Sequence, residues 1–279
     1  VIAGSDPGVA NWLDTGGKGT GVIYGRWKRC DRFPTPTLTK VKLAELRAHL
    51  PAGTVMVTPE QRADAIRQRA SGKPAQYITG HQEFWGLDFI VGPAVLIPRP
   101  ETEHLVETVL KLARGSQHPK IADVGTGSGC IAITLALETG ARVTATDISA
   151  TAVNIARQNA TKLGAQVEFL ICDLIPEGRE FDLVVSNPPY IPRTDKATLQ
   201  HEVRDHEPEL ALYGGDDGLE IYRRLIPEAA RVLKPGGWLM LEMGWNQGDA
   251  LSAMLASWNE VRIQADLAGL PRIAIARKP

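Results

Sequence analysis

Beyond residue 120 the apolar residues fall into short blocks, separated by longer stretches in which they recur at helical spacing. The blocks at 121–124, 142–146, 167–171, 181–185, 238–241, 261–265 and 273–276 have the length and apolar content of half-buried or buried strands. Between them 131–138 reads as a helix. Ser149 caps another that Gly164 closes, a third runs from about 219 to 233, and a fourth lies near 248–257. Lys234-Pro235-Gly236-Gly237 is expected to turn the chain into the strand at 238. Strands alternating with helices predict a mostly parallel, doubly wound α/β sheet covered on both faces. The last two strands have no helix between them and predict an antiparallel edge.

Upstream the pattern is different. Residues 1–33 hold seven glycines without sustained periodicity and read as poorly ordered. Val41, Leu43, Leu46 and Leu50 stand close to helical spacing. At 58–70, Thr58 can accept the Gln61 amide hydrogen and Pro59 suits the first helical position, with a stop near Gly72 and Pro74. The expected organisation is therefore a poorly ordered start (1–33), a small helical domain (34–80) and an α/β domain (81–279) entered through a hairpin linker (81–100).

Length and composition sharpen this picture by exclusion. At 279 residues the chain is long enough for roughly two domains. No apolar run approaches the roughly 18 residues of a membrane span, and no charged start with an apolar stretch reads as a signal peptide. Cys30, Cys130 and Cys172 are scattered without CxxC spacing, which fits a reducing cytosol rather than a zinc site or disulfide framework. The six histidines show neither HxxxH nor HxH spacing, so no metal site is expected. The net charge of −1 excludes a surface that coats nucleic acid. It is nevertheless a cancellation: residues 1–80 carry +6 and residues 81–279 carry −7. A basic region joined to an acidic one suits the steering of an acidic protein partner.

The chemistry concentrates in two motifs. In IADVGTGSGC, Gly125, Gly127 and Gly129 let the backbone turn tightly and approach a ligand at a helix N-terminus. Cys130 stands at the sixth position of a dinucleotide GxGxxG fingerprint, which weakens a nicotinamide reading. A plain Gly-rich βα turn would look the same in isolation. Asp147 ends the next strand about 20 residues on, where a carboxylate can grip two ribose hydroxyls. Asp123 precedes the loop and could hold an ammonium, directly or through water. Acidic residues on both sides of the loop favour a cationic ligand without phosphate, S-adenosylmethionine. Asp173 could meet the adenine with Leu174 packing on the ring, or serve as a cap or loop carboxylate.

The second motif is FDLVVSNPPY (181–190), a buried strand breaking into Asn187-Pro188-Pro189-Tyr190. Prolines donate no backbone hydrogen bond, which leaves the carbonyls of Asn187 and Pro188 turned outward. Asn187 adds a side-chain acceptor and Tyr190 a flat apolar face. Two acceptors and a ring suit a planar NH2 group whose lone pair is delocalised. Holding both hydrogens while the nitrogen turns tetrahedral frees that pair for in-line attack on a methyl sulfonium.

DxGxGxG, Asp147 and NPPY together resemble an amino-directed class I S-adenosylmethionine-dependent methyltransferase of Rossmann-like, seven-stranded fold. PAQYITGHQEFWG (74–86), LIPRPETEHLVE (96–107), SNPPYI (186–191) and LMLEMGWNQG resemble one family within that class, the release factor glutamine methyltransferases, over about 58–279. The resemblance implies methyl transfer to the side-chain amide of the Gln in the Gly-Gly-Gln motif of bacterial class 1 peptide chain release factors. It implies a cytoplasmic monomer that acts in translation termination with no direct nucleic-acid or membrane partner, and that docks its substrate through the helical domain. It assigns Asp123, Gly125, Thr126, Gly127, Ser128, Gly129, Asp147, Asp173, Leu174 and Asn187 to the cofactor. Asn187, Pro188, Pro189 and Tyr190 fall to the substrate, with Asn187, Pro188 and Tyr190 catalytic. Leu174 stands where some members carry an aromatic residue, and residues 1–33 do not match the family's helical N-terminal domain.

Two other functions fit parts of the pattern. An exocyclic-amine methyltransferase of adenine or guanine would use the same NPPY, but it calls for a basic target-recognition domain that the sequence does not show. A non-catalytic adapter binding the release factor would not need the intact Gly loop. Of the remaining residues, Arg99 and Glu101 could pair on the surface, in a segment with a structural and gating role. Phe84 and Trp85 read as core or hairpin packing. His201, Glu202, Asp205, His206 and Glu207 read as a solvated polar cluster. Glu242, at the end of a strand, is equally compatible with structure or function.

Overall fold

The computed structural model describes residues 58–114 and 118–279, and the chain divides into two compact units, Val1–Ala63 and Asp64–Pro279. The helix expected at 40–50 and the segment 1–33 lie outside the described residues. Helix α1 (Pro59–Ala70) opens with a reciprocal cap. The Gln61 amide donates to Thr58 Oγ1 (3.2 Å) and the Thr58 amide to Gln61 Oε1 (2.7 Å). The short helix α2 (Ala75–Thr79) ends on Gly80 in the left-handed conformation.

Strands β1 (His81–Phe84) and β2 (Leu87–Ile90) form an antiparallel hairpin. Trp85 and Gly86 turn it with φ of 56° and 69°, the two positive angles of a type I′ turn. Phe84 and Phe89 are buried edge to face, 6.1 Å between centroids. The hairpin is pinned to the main body, since Asn159 exchanges hydrogen bonds with the Ile90 amide (2.7 Å) and carbonyl (3.0 Å).

Helix α3 (Pro100–Ala113) is absent from the sequence expectation, although its signals are present. Pro100 sits in the first turn with Glu101 and Glu103, and Leu105, Val106, Val109 and Ala113 form its buried stripe.

The remaining elements are β3 (Lys120–Val124), α4 (Cys130–Thr139), β4 (Arg142–Asp147), α5 (Ala150–Leu163), β5 (Val167–Ile171), β6 (Phe181–Ser186), a 3-10 turn (Arg193–Thr198), α6 (His201–His206), α7 (Glu209–Leu212), α8 (Glu220–Val232), β7 (Leu233–Glu242), α9 (Gly248–Met254), β8 (Asn259–Ala265) and β9 (Pro271–Arg277). They build one seven-stranded sheet in the order β5-β4-β3-β6-β7-β9-β8, parallel except at β9. All seven expected strands are there, with the antiparallel edge. One expectation fails: residues 234–237 do not turn the chain but lie inside β7. Gly236, at φ 75°, there accompanies a register shift against β6.

Alternation along the strands splits the core between two faces. Ile121, Leu183, Val185, Met240, Ile273 and Ile275 face α3, α4 and α5. Ala122, Val184, Leu239, Leu241, Ala274 and Ala276 face α8 and α9. The strand order reverses at β3, whose neighbours are β4 on one side and β6 on the other. The crevice beyond the carboxyl ends of these strands is where a doubly wound sheet takes its ligand. Among the described residues, no helix is long and apolar enough to cross a membrane.

Candidate active site

A cavity of about 320 Å³ opens at that crevice, walled by the Gly loop, the segments after β4 and β5, the start of NPPY and the segment leading into α3. The loop owes its shape to three positive φ angles, 74° at Gly125, 54° at Gly127 and 84° at Gly129. A Cβ on Gly125 or Gly127 would meet nothing within 4 Å, so these residues present open backbone to the cavity. A Cβ on Gly129 would stand 2.9 Å from Ile133 Cδ1 and 3.1 Å from Ala156 Cβ; that glycine lets the loop pack on α4 and α5.

Asp147 ends β4 inside the cavity wall. It accepts hydrogen bonds from the Gly127 amide on Oδ2 (2.9 Å) and the Ser149 amide on Oδ1 (2.9 Å). Burial raises its pKa, against the pull of those two amides. Leu174 also lines the cavity, at a positive φ of 61° that Leu rarely adopts. Its carbonyl is held there by the Thr146 hydroxyl (2.6 Å).

The two other acids assigned to the cofactor take different positions. Asp123 is fully buried beneath the loop and is not part of the cavity wall. Its Oδ2 accepts from the Thr126 hydroxyl (2.6 Å) and the Ala132 amide (3.2 Å) and so braces the loop from below, while Oδ1 has no partner. Burial pushes its pKa up to about 7. Asp173 lies two residues beyond the end of β5, on the cavity rim, where its carboxylate is engaged by Arg224 (2.6 Å).

The NPPY segment leaves β6 between two cavities. Asn187, Pro188 and Pro189 line the first. Tyr190 lines a second, polar cavity of about 540 Å³ with Arg99, Glu101, Glu202, Glu207, Glu242 and Arg272. Arg99 borders both. Asn187 Nδ2 donates to Thr102 Oγ1 (3.1 Å), which leaves Oδ1 as the acceptor of that side chain. Gln247 Nε2 takes the Tyr190 carbonyl (2.9 Å) and the Gly214 amide the Ile191 carbonyl (3.0 Å). Among the described residues no donor reaches the carbonyls of Asn187 or Pro188. The segment therefore offers three unclaimed acceptor groups in the residues that lead to Tyr190.

The polar residues around this point depart from expectation in two ways. Arg99 does not pair with Glu101: it is the extended residue that precedes the helix, and its partner is elsewhere. Its guanidinium reaches Glu207, which also accepts from the Ile97 amide (3.4 Å). Glu207 is accordingly buried rather than part of a solvated cluster, and burial raises its pKa against the opposing Arg99 charge. The rest of that cluster is partly exposed, with His201 bonded to Asp205 (2.9 Å) and Arg69 to Glu202 (3.0 Å).

Glu242 is the acidic group that the sequence left undecided. It is 1 % exposed, its Oε1 lies 3.4 Å from the Tyr190 hydroxyl, and Oε2 has no hydrogen-bond partner. Burial pushes its pKa up to about 7, against the Thr102 hydroxyl, Arg272 and Tyr190. A carboxyl raised in this way binds more protons folded than unfolded, so it opposes folding increasingly as pH climbs from about 4.5 through 7. Glu242→Gln should remove that share of the decline. Between pH 5 and 8 the variant should gain on the parent by on the order of 1 kcal/mol, roughly 2–4 °C in Tm at this size. Parallel melting curves across that range would refute the ionisation of Glu242 in the folded chain.

The methyltransferase small domain family matches residues 100–207, from the start of α3 to Glu207. The release factor glutamine methyltransferase of Koribacter versatilis (strain Ellin345) is 51 % identical over 220 residues, covering 77 % of this chain and 79 % of the relative. That of Moorella thermoacetica is 49 % identical over 220 residues, covering 76 % and 77 %. A solved methyltransferase from Pyrococcus furiosus superposes with a TM-score of 0.54 at 21 % identity, over 79 % of this chain and 99 % of that one, a likeness of fold.

Proposed function

The chain belongs to the release factor glutamine methyltransferases, and on that footing we propose that it methylates the side-chain amide nitrogen of the Gln in the Gly-Gly-Gln motif of bacterial class 1 peptide chain release factors. The observation that carries the reading is the set of unclaimed acceptors at Asn187 and Pro188, placed between a Gly-loop cavity and a polar one. The first cavity suits S-adenosylmethionine in size and chemistry. It exposes glycine backbone where a ligand would lie, it has a carboxylate at the ribose position, and no basic side chain at the loop calls for a phosphate.

When bound, S-adenosylmethionine supplies a methyl group on positively charged sulfur. The backbone of Gly125, Thr126, Gly127, Ser128 and Gly129 would hold its amino-acid end, Asp147 its ribose hydroxyls, and Asp173 and Leu174 its adenine. Asn187 Oδ1 and the Pro188 carbonyl accept the two hydrogens of the substrate amide. With both hydrogens held, the amide nitrogen is turned out of conjugation and its lone pair faces the cofactor cavity; transfer would release a neutral thioether, and the methylated nitrogen would then lose one of its two protons to solvent. Pro189 keeps the segment rigid, and Tyr190 limits the amide from the side of the second cavity. We read the chain as a monomer acting on a protein in the cytoplasm, without nucleic-acid or membrane contacts.

Incubation with S-adenosylmethionine and a purified release factor should add one methyl-sized mass to the Gln of Gly-Gly-Gln, mapped by tandem mass spectrometry. Transfer to DNA or RNA with none to that Gln would overturn the proposal.

A further inference from the structure

An Asn side chain has nearly the same shape with its oxygen and nitrogen exchanged, so shape alone does not decide which atom faces a ligand. At Asn187 the choice decides chemistry. Oδ1 toward the substrate accepts an amide hydrogen; Nδ2 there would set two NH2 groups against each other. We propose that Thr102 is the positioning residue that makes this choice, its hydroxyl accepting from Asn187 Nδ2 while its own proton is drawn toward Glu242. This rests on the reading of Asn187 as the holder of the acceptor amide.

Three observations converge. Thr102 is 2 % exposed, in the first turn of α3, and its Oγ1 accepts from Asn187 Nδ2 at 3.1 Å. A hydroxyl can either donate or accept toward a neighbour, so Thr102 selects the correct Asn187 orientation only if its proton is committed elsewhere. Glu242, buried at the end of β7, is the carboxyl on which that hydroxyl acts, and its Oε2 has no hydrogen-bond partner. An ionised carboxylate only accepts. With Glu242 ionised the polarity of the chain follows: the Thr102 proton is drawn to the carboxylate, Asn187 donates to Thr102, and Oδ1 is left facing outward. This gives the LIPRPETE segment a task apart from lining the cavity, because it brings Thr102 to a residue 85 positions away in the chain.

The full chain is assayed with S-adenosylmethionine and a release factor as Thr102→Val, which keeps the shape, and Thr102→Ser, which keeps the hydroxyl. Thr102→Val should lower kcat about tenfold to thirtyfold, with KM for the release factor and Kd for the cofactor within about twofold. Thr102→Ser should stay within about threefold of the parent. In 15N–1H spectra the Asn187 side-chain NH2 pair, identified by its loss in Asn187→Ala, should exchange slowly in the parent and in Thr102→Ser and rapidly in Thr102→Val. Glu242→Gln, the second probe should Thr102→Val fail to fold, should lower kcat in the same direction. A Thr102→Val enzyme with parental kcat would overturn the proposal. So would equal impairment by Ser, or an Asn187 amide indifferent to Thr102. If the parent itself leaves the release factor unmethylated, the proposed reaction fails, and the amide spectra still decide whether Thr102 orients Asn187.

Discussion

Asn187→Ala should lower the single-turnover rate of methyl transfer by about a thousandfold, the upper end of what removing one preorganised hydrogen-bond partner of a reacting group costs. Cofactor Kd should remain within about threefold, because the cofactor cavity has many other walls and only one of them is lost. The asymmetry follows from what each atom does. Asn187 Oδ1 is needed where the amide nitrogen changes geometry, whereas Gly125 to Gly129 and Asp147 act on a ligand that is bound before and after. Asn187 is partly exposed at the end of β6, so truncation should cost little stability. Calorimetry for cofactor binding and rapid-quench assays with excess enzyme separate the two effects. A variant with parental transfer would sink the mechanism, as would a rate loss that saturating cofactor restores.

The parts of this site that were legible in the sequence are those carried by local chemistry. Glycines at 125, 127 and 129, a carboxylate at the end of β4 and the Pro188-Pro189 pair impose their geometry within a few residues. The central strands announce themselves as short apolar blocks, because most of their residues are buried. What local chemistry does not reveal is which way a side chain points once two elements meet. Asp123 and Asp147 read alike in the sequence, each an acid at the end of a strand beside the Gly loop. The structure turns one beneath the loop and the other into the cavity wall. Glu207 reads as solvated among four polar neighbours, and only the arrival of Arg99 from 108 positions upstream makes it a buried partner. Thr102 and Glu242 belong to segments 140 residues apart, so no spacing rule connects them; the tertiary fold alone does.

Gly214→Ala should lower kcat/KM about a hundredfold or more, although Gly214 touches neither cavity wall and its φ lies outside the left-handed range. Here the glycine is required by space. An added Cβ would stand 2.4 Å from the Pro189 carbonyl oxygen and 2.7 Å from the Gly218 carbonyl oxygen, both backbone atoms with no rotamer to escape into. The Gly218 carbonyl and the backbone that follows Pro189 are held in turn. The Gly214 amide donates to Ile191 (3.0 Å), the Ile191 amide to Leu212 (2.9 Å), and Gln247 Nε2 to both Tyr190 (2.9 Å) and Gly218 (3.2 Å). Relief must move either the loop before α8 or the Pro189-Tyr190 backbone, and the second alternative shifts the acceptors at Asn187 and Pro188. Stability should fall by about 1–3 kcal/mol from the overpacking. Gly164→Ala provides the contrast, since it places Ala at φ 72° in open space at the end of α5, away from both cavities. It should cost about 1 kcal/mol of stability and leave kcat/KM within about twofold. Equal activity losses in the two variants would mean that destabilisation alone explains them. A Gly214→Ala enzyme with parental kcat/KM would mean that the NPPY backbone tolerates displacement, contrary to the rigid positioning on which the mechanism depends.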